Sequence, residues 1–199
     1  MRDEAKALRR AQIEAAAYDI LAEKGFQNMS MLAVAKAAKA SNETLYRWYG
    51  DKLGLFTALI DSNAEEVAKR LRHQIQASDI QESALSDIGR VLLTMLLGDR
   101  AIALNRAAAA DATGTLGKTL AEAGRGRVFP LMVDLFSLLR DAYGWTEDPA
   151  DLASLYVDLL VGDLQIRRAT GALGPVSPEV IAERARRAER RLIALATVS

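Results

Sequence analysis

The residues of this chain best placed for chemistry on a partner are polar side chains of a short predicted helix, Asn42 to Tyr49. Leu45 and Tyr49 lie four residues apart in it and are expected to face inward. Hydrogen-bonding side chains are then left on the outside, namely Asn42, Glu43, Arg47 and Trp48. A short helix with such side chains toward its N-terminal end fits the major groove of double-stranded DNA.

Neighbouring elements are predicted to hold this helix in place. A preceding short helix begins after Ser30, whose hydroxyl can cap its free N–H groups, and its apolar face has helical spacing (Met31, Val34, Ala35 and Ala38). The turn Lys39-Ala40-Ser41 follows, with Ser41 placed to cap the helix that begins at Asn42. Asp51 is placed to cap a long helix that runs to about Gln76. Two short helices joined by a tight turn predict a helix-turn-helix.

The N-terminal segment is predicted to form one amphipathic helix from Asp3 to Lys24. Gly25 is expected to end this helix as a C-terminal cap, and Phe26 is expected to pack beneath the helix-turn-helix. Four basic residues lead into the helix, namely Arg2, Lys6, Arg9 and Arg10. They are either ordinary solvated charges or contacts to DNA phosphates.

The stretch from Ile13 to Phe56 carries a longer pattern, matched in register and without a gap by Ile13, Ala16, Ala17, Ile20, Gly25, Phe26, Ser30, Val34, Ala35, Ala38, Ser41, Thr44, Leu45, Tyr46, Tyr49, Asp51, Lys52 and Leu55. This pattern resembles the DNA-binding head of the tetracycline-repressor (TetR/AcrR-like) family. Three residues depart from it: Lys39 and Glu43 replace glycines of the family pattern, and Ala40 replaces a valine. Lys39 must therefore occupy a position that often requires a positive φ. Glu43 places an acid beside DNA, so the operator sequence cannot be taken from relatives.

The predicted DNA contacts combine the outward residues of the second short helix with positions that the resemblance implies: Ser30, Ser41, Asn42, Glu43, Thr44, Tyr46, Arg47, Trp48 and Lys52. Arginine can read guanine bidentately, which we expect of Arg47. Lys52 lies in the first turn of the long helix, where its charge and the free N–H groups can meet a phosphate. The resemblance implies a DNA-binding head over residues 1–52 and a ligand-binding and dimerisation body over residues 53–199.

The body is predicted to be all-α, which gives about nine helices for the whole chain. Asp79 is expected to begin one helix, Ala101 to Ala112 another and Val128 the repeat of a third. The segment from Asp151 to Thr170 is apolar on two sides, which predicts one helix buried on both faces. The resemblance implies a homodimer through the last two helices, bound to a palindromic operator. On the penultimate helix the predicted seam residues are Val157, Val161 and Leu164.

The resemblance also implies a pocket in the body for a small molecule that controls DNA affinity. The predicted lining consists of Leu92, Met95, Leu96, Asn105, Met132, Phe136 and Tyr156. Most of these residues are apolar, so we expect a small apolar or aromatic effector, with Asn105 and Tyr156 as polar groups that orient it. A solid, close-packed core is the alternative interpretation of the same residues.

Composition limits the other possibilities. The chain of 199 residues has no cysteine, a single histidine and 26 basic against 26 acidic residues. It carries no catalytic, phosphate-binding or metal-ligand motif, so we expect neither an enzyme nor a cofactor. Its N-terminus lacks the apolar core of a signal peptide, and its apolar runs are too short for a membrane span, which favours a cytoplasmic protein. The alternative function is a helical interaction or adaptor protein whose DNA-binding head has degenerated.

Overall fold

A computed structural model describes residues 2–76 and 83–196, without the side chains of residues 2 and 3. Over those ranges the chain is all-α, as predicted, with eleven α-helices, one π-helical stretch and no strand. The predicted helix start at Asp79 and the side chain of Arg2 lie outside the described residues. No helix in this part of the chain is both long enough and apolar enough to cross a membrane.

The first four helices are α1 (Arg2–Asn28), α2 (Met31–Ala37), α3 (Asn42–Tyr49) and α4 (Lys52–Gln76). The helices that follow are α5 (Ala84–Leu97), α6 (Asp99–Ala109), α7 (Thr115–Leu120), α8 (Gly126–Tyr143), α9 (Pro149–Val161), α10 (Leu164–Thr170) and α11 (Pro178–Ala196). The π-helical stretch, Ala121–Arg125, joins α7 to α8.

Side-chain caps fix where the helices of the helix-turn-helix begin. The Ser30 hydroxyl accepts a hydrogen bond from the Ala33 N–H at 3.2 Å and so caps α2. The Ser41 hydroxyl accepts from the Thr44 N–H at 3.0 Å and caps α3. At the start of α4, the Asp51 carboxylate accepts from the Gly54 N–H at 2.7 Å. Each cap satisfies a backbone donor that has no partner inside its helix, and all three were predicted.

The chain divides into two compact units. The first unit is Met1–Ser62 with Ala103–Ala123, and the second unit is Asn63–Ile102 with Gly124–Ser199. The first unit extends beyond residue 52 because Leu55, Phe56 and Leu59 of α4 belong to its apolar core, together with Leu104, Ala107 and Leu116. The predicted boundary between residues 52 and 53 divides a DNA-binding head from a ligand-binding and dimerisation body. It does not coincide with the boundary between the compact units, and it remains a prediction.

The second unit is built around apolar side chains from α4, α5, α8, α9 and α11. Leu93, Leu135, Phe136, Leu160 and Leu192 are fully buried there. Burying such a side chain contributes about 1.5–3 kcal/mol relative to leaving it exposed. These residues fall on the helical stripes visible in the sequence, which explains why the pattern predicts the helices of the body.

The helix predicted from Asp151 to Thr170 is broken. It forms α9 and α10, and Gly162 between them has φ 51° and ψ −129°, a conformation that L-residues rarely adopt. The Nε of Arg184 donates to the Leu160 carbonyl at 2.8 Å, which satisfies one acceptor of the last turn of α9. The apolar pattern continues through this break, so the pattern did not predict it.

The first helix ends at Gly25 as predicted, since Gly25 is not helical and takes φ 71° and ψ 167°. The range of α1 includes a separate helical turn that follows this kink and ends at Asn28. Phe26 lies in that turn and packs edge-on against Phe56, with ring centroids 5.3 Å apart. The alanine-rich helix is displaced toward the N-terminus, from the predicted 101–112 to Asp99–Ala109.

Candidate nucleic-acid interface

The helix α3 has one buried face and one exposed ridge. Leu45 is fully buried and Tyr49 is 9% exposed, so both face inward as predicted. Successive residues of an α-helix are turned by about 100°, which places Glu43 and Arg47 on the opposite side. Their side chains are 86% and 63% exposed, and the carboxylate of Glu43 lies 3.9 Å from the guanidinium of Arg47. The most exposed ridge of α3 therefore offers acceptors and donors one turn apart.

Trp48 is less exposed than the sequence suggested. Its side chain is half-buried and packs against the core of the first unit. The guanidinium carbon of Arg10 lies 5.8 Å from its ring centroid, within the range of a cation–π contact. The prediction that Trp48 points fully outward is therefore only half right. Tyr46, by contrast, is 51% exposed on the flank of α3.

The hydroxyls predicted to contact DNA at the helix starts are already engaged as caps. Ser30 and Ser41 each accept a backbone N–H, and the hydroxyls of Ser41 and Thr44 lie 2.8 Å apart in a hydrogen bond. Asn42, which follows Ser41, is exposed. These caps orient α3, so the serines position the helix whether or not they also contact DNA.

The turn between α2 and α3 contains the unusual backbone that the departure at Lys39 predicted. Lys39 has φ 52° and is the one non-glycine residue of the described chain with a positive φ. The guanidinium of Arg9 donates to the Ala38 carbonyl at 3.2 Å and also to the Lys39 carbonyl. Arg9 therefore stabilises this turn, a role that the sequence analysis missed because the two positions are about 30 residues apart.

Lys52 also makes contacts within the chain that the sequence analysis did not predict. Its ammonium donates to the carbonyls of Phe26 at 3.0 Å and Gln27 at 3.3 Å, and lies 4.4 Å from the centroid of the Phe26 ring. Phe26 and Gln27 lie in the last turn of α1, where carbonyls lack intrahelical partners. The Phe26 carbonyl also accepts from the Met29 N–H at 3.1 Å, and the Lys52 ammonium supplies a further donor. One N–H of the ammonium remains for a phosphate.

Tyr49 is buried at the end of α3, and its hydroxyl has no hydrogen-bond partner in the described part of the chain. Burial raises the pKa of Tyr49 to about 12; Glu14 adds to the rise in this pKa and Arg10 opposes it. The hydroxyl thus stays protonated at neutral pH. Tyr49 therefore packs in the core of the first unit, as predicted, and does not face DNA.

The predicted pocket residues lie mostly in the core of the second unit. Leu92, Met132, Phe136 and Tyr156 are buried, whereas Met95 and Leu96 are half-buried. Asn105 belongs to α6 within the first unit. The Tyr156 hydroxyl donates to the Leu85 carbonyl, so its proton is not available to orient a ligand, contrary to the expectation. Burial and, secondarily, Glu189 raise the pKa of Tyr156 above its ordinary range. The cavity itself remains a prediction.

Comparison with known proteins gives matches at two scales. Residues 13–59 match the family model described as bacterial regulatory proteins, tetR family. An uncharacterised HTH-type transcriptional regulator of Bacillus subtilis (strain 168), YdeS, is 34% identical over 70 residues. That match spans 35% of this chain and only 34% of the length of YdeS.

Solved structures match over nearly the whole chain. A protein of Mesorhizobium loti assigned to the TetR family of transcriptional regulators has a TM-score of 0.76 at 25% identity, covering 95% of this chain and 96% of its own. The transcriptional regulator FadR of Bacillus subtilis, solved with stearoyl-CoA, has a TM-score of 0.68 at 14% identity, covering 92% and 97%. The second likeness concerns the fold alone.

Proposed function

This chain belongs to the tetR family of bacterial regulatory proteins, and we propose that it is a homodimeric repressor released from a palindromic DNA operator by a small apolar or aromatic ligand. The observation that carries the DNA-binding part is the exposed ridge of α3. Glu43 and Arg47 project from a helix whose other face, through Leu45 and Tyr49, is fixed in a core. A helix held in this way can enter a major groove without reorganising.

Selection from a pool of random double-stranded DNA tests this part. The wild-type protein is expected to enrich a two-fold symmetric sequence, because a dimer presents two copies of α3. Arg47→Ala is expected to relax the base preference more than it weakens binding to random DNA, since the arginine reads guanine. Equal losses on operator and random DNA would contradict the role of Arg47. If the wild type enriches nothing, the chain is better described as an adaptor with a degenerate head, and a reporter gene under the enriched site distinguishes repression from activation.

The proposed dimer uses α9, α10 and α11, and large apolar side chains of α10 and α11 are exposed to solvent. Ile166 of α10 is 61% exposed, and Val180 and Leu195 of α11 are 58% and 51% exposed. The predicted seam residues Val157, Val161 and Leu164 are half-buried and pack against the core of the second unit. A second copy packed on these helices would remove this apolar surface from water, which favours association.

Val161→Arg tests the seam. The variant is expected to sediment as a monomer and to lose operator affinity, because an arginine buried at the interface without a partner costs several kcal/mol. Val133→Arg, at a half-buried valine of α8, is the matched control and should remain dimeric. A dimeric Val161→Arg protein would place the interface elsewhere.

The ligand part of the proposal is supported by the apolar side chains of the second unit and by the stearoyl-CoA bound to FadR, which has the same fold. A ligand that binds the released state about a hundredfold better contributes roughly 2.7 kcal/mol of coupling. Met132→Trp is expected to fill the cavity, so that operator binding persists while apolar and aromatic compounds no longer release the DNA. Release that is unchanged in this variant would exclude a pocket at Met132.

A further inference from the structure

The pairing of Glu43 with Arg47 has a consequence for which DNA the protein selects. Both side chains lie on the ridge of α3 opposite Leu45 and Tyr49, and they are 86% and 63% exposed. On one side of this ridge Thr44 and Trp48 are partly covered, and on the other side Asn42 and Tyr46 are exposed. At about 100° per residue, the acid and the base therefore occupy the middle of the exposed face of α3.

The two side chains have opposite hydrogen-bonding capacity. An ionised glutamate only accepts hydrogen bonds, whereas arginine only donates them. In the major groove the donors are the amino groups of cytosine and adenine, and guanine offers two acceptors, O6 and N7. Glutamate characteristically accepts from cytosine N4, and arginine donates bidentately to guanine.

Their spacing matches that of base pairs. Residues one turn apart, four positions along the helix, are separated by about 6 Å along its axis. Base pairs are stacked at intervals of about 3.4 Å, so the two side chains can reach bases within two base pairs of each other. The 3.9 Å contact between two exposed side chains is weak, so DNA can separate them at little cost.

We propose that Glu43 and Arg47 together read a C·G base pair and a guanine one or two base pairs away in each half of the operator. Glu43 accepts from cytosine N4, and Arg47 donates to O6 and N7 of the guanine. This inference rests on the proposed DNA-binding function and adds to it a residue that specifies sequence. The carboxylate also acts against other sequences, because without an amino donor opposite it, a negative charge faces the DNA unpaired.

The test compares three proteins in the same selection from random DNA: the wild type, Glu43→Gln and Glu23→Gln. Glutamine pairs bidentately with adenine N6 and N7, so Glu43→Gln is expected to replace the selected C·G pair by A·T and to leave other positions unchanged. Glu23 is an exposed glutamate of α1, and its variant is the control for losing the same charge. In titrations with paired duplexes, C·G to A·T at this position should weaken wild-type binding roughly tenfold. Glu43→Gln should reverse that order.

Two outcomes would overturn the inference, and they differ from failure of the proposed function. The inference is wrong if the wild type selects no C·G pair near the guanine, or if Glu43→Gln selects the same base pair as the wild type. In both cases DNA is still enriched, so DNA binding itself stands. If none of the three proteins enriches any sequence, both the inference and the DNA-binding function fail. Because Glu43 is 86% exposed, its replacement should leave the thermal unfolding midpoint unchanged, which is checked on the same samples.

Discussion

In the first unit, three capping side chains, those of Ser30, Ser41 and Asp51, each accept from a backbone N–H three residues further along the chain. In the second unit, Gln165, Arg168 and Arg184 donate to carbonyls between 24 and 71 residues away. The first kind of contact depends on neighbours in sequence, and the second exists only once the fold has formed. The starts of α2, α3 and α4 are therefore fixed by neighbours in sequence, whereas the ends of α5 and α9 are fixed by partners distant in sequence. The turn before α3 depends on a distant partner as well, because its carbonyls accept from Arg9.

Among substitutions that remove such distant contacts, we expect the one at Arg168 to lower the free energy of unfolding most. It is the one charged residue that is buried among the described side chains, at 7% exposure. Its guanidinium donates to the Leu97 carbonyl at 3.2 Å and to the Asp99 carboxylate at 2.8 Å, where α5 ends and α6 begins. Arg168→Met keeps the apolar stem but leaves a buried carbonyl unpaired, so we expect the free energy of unfolding to fall by about 2–4 kcal/mol. Urea unfolding followed by circular dichroism measures it.

Arg167 is the matched control for Arg168. It is the preceding residue in α10, and its pair with Asp163, at 3.8 Å, joins two exposed side chains. Arg167→Met should change the free energy of unfolding by no more than about 0.5 kcal/mol, since exposed ion pairs contribute little. Equal effects of the two substitutions would show that the contacts of Arg168 are not what stabilises the α5 end.

Three tyrosines are buried among the described residues, Tyr18, Tyr49 and Tyr156. The Tyr18 hydroxyl donates to the Leu59 carbonyl at 2.6 Å, so Tyr49 is the one whose hydroxyl lacks a partner. The Tyr156 hydroxyl in the second unit donates to the Leu85 carbonyl, whereas the Tyr49 hydroxyl in the first unit meets no partner in the described chain. Tyr156→Phe should lower the free energy of unfolding by about 1–1.5 kcal/mol. Tyr49→Phe should leave it unchanged or raise it by up to about 1 kcal/mol, because a buried hydroxyl without a partner is unfavourable.

Alkaline pH gives an independent measurement on Tyr49. Its pKa is about 12 in the folded chain against 10.0 for an unperturbed tyrosine. The unfolded chain therefore ionises first, and the stability associated with the neutral hydroxyl is present below pH 10 and is lost as the pH rises toward 12. The difference in unfolding free energy between Tyr49→Phe and the wild type should be constant below pH 10 and grow above it. A difference that is independent of pH up to 12 would show that Tyr49 is solvated in the folded protein.

The same distinction explains how much the sequence predicted. Apolar spacing, cap residues and the departure at Lys39 are local signals, and they predicted α2, α3, the start of α4 and the positive φ correctly. The contacts of Arg9 and Lys52 were missed because they join positions 25 or more apart. The break at Gly162 was missed because the apolar pattern continues through it. Tyr156 was predicted to orient a ligand because its type is visible in sequence, whereas the carbonyl that binds its hydroxyl is not.

Substitution of Lys52 tests whether a contact between residues distant in sequence also stabilises the first unit. Lys52→Ala removes the donors to the Phe26 and Gln27 carbonyls, and we expect it to lower the free energy of unfolding by about 1 kcal/mol. We also expect weaker binding to all DNA sequences and a salt dependence reduced by about one unit, if the remaining N–H binds a phosphate. Lys24→Ala, at an exposed lysine of α1, is the control. Unchanged stability of Lys52→Ala together with a reduced salt dependence would mean that this ammonium serves DNA alone.

The smallest change in the free energy of unfolding is expected for a substitution in the turn before α3. This change is expected to be a rise rather than a fall. Lys39 has φ 52°, and a left-handed conformation costs an L-residue about 1–2 kcal/mol, which glycine avoids. Glycine also gives the unfolded chain more freedom, which costs roughly 0.5–1 kcal/mol. Lys39→Gly should therefore raise the free energy of unfolding by about 0.5 kcal/mol, since its exposed side chain is dispensable and Arg9 still binds the carbonyl. Lys36→Gly, three residues earlier and in the regular part of α2, should instead lower it by about 1 kcal/mol. Thermal unfolding of both variants measures the two signs, and amide hydrogen exchange in α3 shows whether the change is confined to the first unit. If Lys39→Gly is destabilising by as much as Lys36→Gly, the lysine side chain rather than its backbone conformation governs this turn.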